Sequence, residues 1–303
     1  MPDVSTLVES LRGASVIDLS QPLEEHMPHF PTHSKFFRNL WGSYWHGGRS
    51  LNYQITMNEH NGTHVDAPAH FISDAKPHAH VTIENVSLNR LMGRGARLDC
   101  RAMKEADYVS KDFVTEWEVK HGALAAGDIV TFNFGWSTYW ALRPNDQRYT
   151  TDWPGVGMDA AEYLIERAVA AIGVDTLSPD PPAALAARPI HPVVLEKQVL
   201  IVENLTNLEQ LPDFFLFLAL PLKIRGGSGS PHPRRGHYVA HGVPSSPALQ
   251  AFYCASMTSS PFSTRMAVTA WGSSIWRSIL PSSMETGIGT LPIWTSAGTS
   301  RTT

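Results

Sequence analysis

Cysteine is scarce in this 303-residue chain: Cys100 and Cys254 stand far apart and belong to no CxxC pair. A disulfide framework and a thiolate zinc site are therefore not expected. Basic excess is missing as well. The formal net charge is −4, which offers no cationic face to nucleic acid or an anionic membrane and leaves a small-molecule substrate as the expected partner. Long hydrophobic runs are also absent. The most apolar stretch, Phe214 to Leu222, is too short to span a bilayer and reads as a buried strand or helix end. The first twenty residues lack a basic segment followed by an apolar core, so no signal peptide is expected and the predicted location is cytoplasmic.

What is present describes a folded protein. Hydrophobic residues make up 43% and charged residues 17%, a balance that argues against disorder, and the length suits one large domain or two modest ones. Residues 4–12 read as a short amphipathic helix, and Ser15–Ser20 as a strand. A loop of proline, histidine and aromatics follows, Met27-Pro-His-Phe-Pro-Thr-His33. Ser50–Met57 alternates large and polar residues as a half-buried strand does. Strands are predicted over Ala96–Cys100, Asp128–Phe134, Ile172–Leu177 and Gln198–Glu203. Helices are predicted over Ser110–Lys120 and Met158–Ala170, the latter closed by Gly173. Strands alternating with helices predict an α/β domain built on a mixed sheet.

The chemistry concentrates in His60-Asn-Gly-Thr-His64-Val-Asp66-Ala-Pro-Ala-His70. Divalent metals take imidazole nitrogen and carboxylate oxygen at about 2.0–2.2 Å. His64 and Asp66 are two residues apart, so an extended strand points both to one face. Gly62-Thr63 supplies the bend that turns His60 back toward them, and Pro68 stiffens the exit toward His70. A lone histidine is more often structural than functional, but four donors in one short segment point to a metal site. Downstream, His191 sits between an isoleucine and a proline, and Glu203 ends an apolar strand. Each is either a metal ligand or, in Glu203's case, the partner of Lys197 or Arg188. Phe30, Trp45 and Trp136 are candidates for an aromatic wall that stacks on a flat substrate, though each alone also suits a core.

The string Asn58-Glu-His-Asn-Gly-Thr-His-Val-Asp-Ala-Pro-Ala-His-Phe71 resembles the HxGTHxDxPxH signature of the cyclase-like metal-dependent amidohydrolases, which include isatin hydrolase and bacterial kynurenine formamidase. The likeness runs over about residues 15–231, through Gly127-Asp-Ile-Val, Gly173–Ser178, His191-Pro192, Val202–Leu205 and Leu220–Ile224. The resemblance implies a swivelling β/β/α fold with a mixed, barrel-like sheet and flanking helices. It also implies hydrolysis of an amide or lactam C–N bond by metal-activated water. It assigns His60, His64 and Asp66 to one ion, Asp66, His191 and Glu203 to a second, and proton transfer to His70. One or two Mn²⁺ or Zn²⁺ ions are implied, as is a homodimer or homotetramer. The chain ahead of His60 is long for a kynurenine formamidase, which favours the isatin-hydrolase-like branch.

Other chemistries remain beside this one: a lactone hydrolase of the same family, a non-haem metal oxygenase, or a non-catalytic metal-binding protein. The oxygenase reading wants an arginine roughly ten residues past the distal histidine, and Pro192–Leu211 contains none. Beyond Pro231 the composition changes. Only one acid, Glu285, lies in that stretch, out of 28 in the chain. The hydrolase domain is therefore expected over residues 1–231, with 232–303 an atypical tail that is out of frame or appended.

Overall fold

The computed structural model describes residues 3–231, so the tail expected over 232–303 lies outside the described residues. In chain order come α1 (Val4–Arg12), β1 (Phe37–Gly42), β2 (Asn52–Thr56), β3 (His64–Asp66), β4 (Met92–Asp99) and β5 (Tyr108–Val109). Then follow α2 (Lys111–His121), β6 (Ile129–Asn133), β7 (Gly155–Val156), α3 (Met158–Glu166) and β8 (Ala171–Val174). The series ends with α4 (Pro182–Ala187), α5 (His191–Glu196), β9 (Leu200–Glu203), β10 (Phe214–Leu218) and β11 (Gly229–Pro231).

Seven strands form the main sheet in the order β10-β4-β6-β8-β9-β3-β11. The four central strands β4, β6, β8 and β9 are parallel, and β10, β3 and β11 run antiparallel to their neighbours. The mixed α/β class is as expected from sequence. The sheet is open, since no strand pairing joins β10 to β11 among the described residues, and in that respect it departs from a closed barrel.

Side chains on the central strands alternate between two cores, as a period of two requires. Val130, Phe132, Ile172, Val174 and Ile201 pack beneath the helices with Val114, Trp117, Leu164, Val194 and Leu195. Ile129, Ala171, Leu200, Val202 and Val65 face the other way, toward Leu19, Leu91, Leu205 and Phe217. Both faces are covered, which is why these strands read as nearly continuous apolar runs.

Four local expectations change. Helix α3 ends at Glu166 rather than near Ala170, because Ala168 turns into the left-handed region at φ 54°. Gly173 does not close that helix. It lies inside β8, where a Cβ would sit 2.8 Å from Leu205 Cδ1 and 3.0 Å from Thr131 Cγ2. Ser15–Ser20 is in no strand among the described residues, although Leu19 is buried and its carbonyl accepts the Thr206 N–H. The Ser50–Met57 region does contain β2, but β2 pairs only with β1 and every residue of it is exposed, so it is not half-buried.

Candidate metal centre

The centre grows from the junction of β3 and β9. His64 pairs directly with Glu203 across the antiparallel ladder, and Asp66 pairs with Ile201. Directly opposed residues share a face, and residues two apart share it too, so His64, Asp66 and Glu203 project together. Val65 goes to the opposite face and is buried there. His64 Nε2 lies 3.3 Å from Asp66 Oδ1 and 3.3 Å from Glu203 Oε2.

His60 arrives through the turn before β3. Gly62 adopts φ 66°, a left-handed conformation that supplies the expected bend, and a Cβ there would lie 2.5 Å from Leu23 Cδ2. The turn is then pinned. Thr63 Oγ1 donates to the Asn204 carbonyl, and Asn204 Nδ2 donates to the Gly62 carbonyl. His60 Nδ1 thereby sits 2.7 Å from Asp66 Oδ1, while His60 Nε2 sits 2.8 Å from Ser228 Oγ. His191 enters at the start of α5, with Nε2 at 3.2 Å from Glu203 Oε1 and 3.4 Å from Asp66 Oδ2. Its other ring nitrogen, Nδ1, is 2.5 Å from Asp180 Oδ2. The carboxylate accepts a hydrogen bond from Nδ1–H and turns Nε2 toward the centre, the arrangement that orients a metal-binding histidine.

Burial governs the electrostatics. It works against charge on His64, but contact with Asp66 and the proximity of Glu203 overcome it and raise the His64 pKa to about 9. His191 follows the same pattern: burial opposes its charge, and Asp180, Asp66 and Glu203 hold it well above the usual histidine range. For Asp66, burial favours the neutral acid but is outweighed by His60, His70 and His191, so its pKa falls well below 3.8. Glu203 moves upward, pushed by burial and by the charge on Asp66. Imidazolium protons thus balance the carboxylates in a space where a cation would do the same.

The donor set fits a divalent ion. The ligand atoms of His60, His64 and Asp66 lie within 4.8 Å of one another, as do those of Asp66, His191 and Glu203, and all five side chains are buried. Asp66 belongs to both triads. Its Oδ2 is buried with no well-formed hydrogen bond among the described residues, His191 Nε2 standing 3.4 Å away, a state a cation would relieve. Three imidazoles and two carboxylates without a thiolate suit Zn²⁺ or Mn²⁺ chemistry.

His70 lies on the short 3₁₀ turn Pro68–His70, with its ring stacked on His60 at 3.9 Å between centroids. Burial lowers its pKa to about 4, His60, His191 and His64 push the same way, and Asp66 resists. Phe30 approaches through its neighbour: the Phe30 and His33 rings are 5.4 Å apart, and His33 is 5.6 Å from His60. The other two aromatic candidates have different neighbours. Trp45 is 66% exposed beside the β1–β2 ribbon, with its ring against Tyr44. Trp136 is buried, donates its indole N–H to the Tyr149 carbonyl and lies under the Arg148 guanidinium.

Sequence reading did not single out Asp180, Asn204, Ser228 or His33. Asp180 carried a signal, a carboxylate flanked by prolines next to an apolar segment, but its pairing with His191 spans eleven residues and a helix. Ser228 sits in a Gly-Ser stretch that resembles any turn, yet its hydroxyl joins His60 to Glu59.

Comparison with known proteins identifies the family. Residues 17–181 match the Cyclase family, described as "Putative cyclase". Isatin hydrolase from Roseibium aggregatum is 29% identical over 191 residues, covering 58% of this chain and 71% of that protein. Kynurenine formamidase from Erythrobacter litoralis is 30% identical over 216 residues, covering 69% of this chain and 88% of the relative. Isatin hydrolase A from Ralstonia solanacearum superimposes with a TM-score of 0.69 at 29% identity, covering 77% of this chain and 96% of that one. With a match across most of the central sheet and relatives aligned over most of their own length, this chain belongs to the Cyclase family.

Proposed function

We propose that the protein is a metal-dependent hydrolase that cleaves the C–N bond of a small aryl amide or lactam, of the isatin or N-formylkynurenine kind. The observation that carries this reading is the convergence of five buried donors where β3 meets β9, with a sixth residue, His70, stacked beside them. His60, His64 and Asp66 would hold one Mn²⁺ or Zn²⁺ ion, and Asp66, His191 and Glu203 a second where two are bound. A divalent ion there supplies Lewis acidity, polarising a carbonyl and lowering the pKa of water toward about 7.

The remaining steps belong to the chain. His70 is neutral at pH 7 because its pKa is held at about 4, so a ring nitrogen is free to accept a proton. It takes one proton from the attacking water and delivers it to the amide nitrogen as the C–N bond breaks, giving a neutral amine, while the acyl carbon becomes a carboxylic acid that releases its remaining proton to solvent as the carboxylate. Asp180 keeps His191 oriented, and Asn204 with Thr63 keeps the motif turn closed. Phe30 presents an aromatic surface one ring beyond His33, and Phe71 stands closer, 4.6 Å from the His70 ring and 4.9 Å from that of His191.

We assign a homodimer or homotetramer to the assembled protein. An isolated two-stranded ribbon is marginal in water, and β1–β2 exposes Trp41, Ile55 and Phe37 along its length. A second copy pairing edge to edge would extend it symmetrically.

The test is hydrolysis of isatin and of N-formylkynurenine by chelator-stripped protein, with and without added Mn²⁺ or Zn²⁺. Metal-restored activity on either, lost in His64→Ala, supports the reading. Folded, metal-loaded protein inert to both rejects these substrates and turns the search to lactones.

A further inference from the structure

The loop ahead of the ribbon brings one more polar group to the centre. His33 is half-buried, and its ring stands between Phe30 at 5.4 Å and the metal-site residue His60 at 5.6 Å. Its Nδ1 is buried and has no hydrogen-bond partner among the described residues. A buried polar atom left unpaired costs free energy, and in a site such a group is commonly satisfied by the ligand.

The loop is held in this pose. His33 N–H donates to the Phe30 carbonyl, closing a turn that sets the two rings side by side. His29 Nδ1 lies 2.9 Å from the same carbonyl. Asn61, at the variable second position of the motif, donates from Nδ2 to the Ser34 carbonyl at 2.9 Å. The residue following His60 therefore clamps the residue following His33, and the two rings are registered by one side chain.

We infer that His33 is a specificity-determining residue, which hydrogen-bonds through Nδ1 to a ketone oxygen on the substrate's aryl ring, ortho to the scissile amide nitrogen. The inference rests on the aryl-amide reading above and deepens it. The assignment sets the reacting carbonyl at the His60–His64–Asp66 cluster and the flat ring against Phe30, with the ortho oxygen turned to His33, whose ring stands between the two. Isatin and N-formylkynurenine differ in ring closure and leaving acyl group, yet both carry that ketone. One imidazole serving the shared oxygen accounts for a site that accepts either, and it predicts discrimination against aryl amides that lack it.

The experiment measures binding rather than turnover. Calorimetry on Mn²⁺-loaded protein compares (2-aminophenyl)glyoxylate with (2-aminophenyl)acetate, which keeps the ring, amine and carboxylate but replaces the ketone by CH₂. Wild type is expected to prefer the ketone by roughly tenfold, the effect of one buried hydrogen bond. His33→Phe should erase that preference and His33→Gln should retain most of it, with metal content and melting temperature as in wild type. In kinetics with N-formylkynurenine, His33→Phe should raise KM more than it lowers kcat. A ketone preference unchanged in His33→Phe overturns the assignment, as does a wild type that binds both probes equally. A wild type that binds neither probe rejects the aryl-amide reading together with this one.

Discussion

Each candidate ligand histidine is oriented by a partner outside the candidate set: Ser228 at His60, the Gly62 carbonyl at His64 and Asp180 at His191. Asp180 accepts from the Ile190 and His191 backbone N–H groups as well as facing the His191 ring. Asp180→Asn places an amide where that acceptor stood, so metal affinity should fall about 10- to 100-fold, with activity recovered at high metal concentration. His70→Ala should lower kcat by roughly 10²- to 10⁴-fold while atomic emission finds the same metal content. Asp175 tests a different balance. Its carboxylate accepts the Phe134 and Trp136 backbone N–H groups, but burial dominates and raises its pKa from 3.8 to about 7. A raised acid binds its proton more tightly when folded, so this contribution is complete below pH 3.8 and lost as pH rises through 7. The stability of wild type, read from denaturant midpoints, should therefore decline across that window relative to Asp175→Asn, by a few kcal/mol at most. A flat difference between the two would remove Asp175 as the cause.

At the scale of elements, the motif turn and the ribbon carry the informative strain and exposure. Gly62→Ala adds a Cβ in a left-handed conformation against Leu23, and should cost about 1–3 kcal/mol. Because that turn delivers His60, metal affinity should fall with stability, whereas a purely structural loss would leave affinity intact in the folded fraction. The ribbon predicts assembly. Trp41 is 76% exposed and Ile55 56%, values that neither residue type favours beside water. A Trp41→Ser, Ile55→Ser double variant should sediment as a smaller species than wild type at equal concentration, while a monomeric wild type would reject the ribbon as an interface.

For the molecule as a whole, the candidate metal centre joins the edge of the sheet, among the described residues, to its middle. β3 lies next to β11, β9 belongs to the parallel core, and α5 packs over that core, so an ion bound to all three would restrain separate parts of the chain at once. Metal at about 100 times its dissociation constant should stabilise the folded state by about 2.7 kcal/mol, read as a rise in melting temperature over chelator-treated protein. His64→Ala should show no such rise. No helix among the described residues is long and apolar enough to cross a membrane.

Much of this was legible in the residues. The alternation of apolar strands and helices, the helix start at Ser110 and the single-face geometry of His64 and Asp66 depend on periodicity and neighbours within a few positions, and local sequence carries them. His60 and His70 belong to the same short segment and were legible for the same reason. Glu203 and His191 could be read as candidates but not chosen over a salt bridge, because only the antiparallel register sets Glu203 opposite His64. The ends of α3, the exposure of β2 and the separate fates of Phe30, Trp45 and Trp136 were likewise decided by tertiary structure. A tryptophan's exposure depends on which strands reach over it, and an imidazole's tautomer on a carboxylate such as Asp180 arriving from another loop. The sequence by itself therefore determined the types of the candidate ligands and the segment that bears most of them. The fold decided which distant groups complete the set, since hydrogen-bond register and burial are properties of chain segments brought together, not of either segment alone.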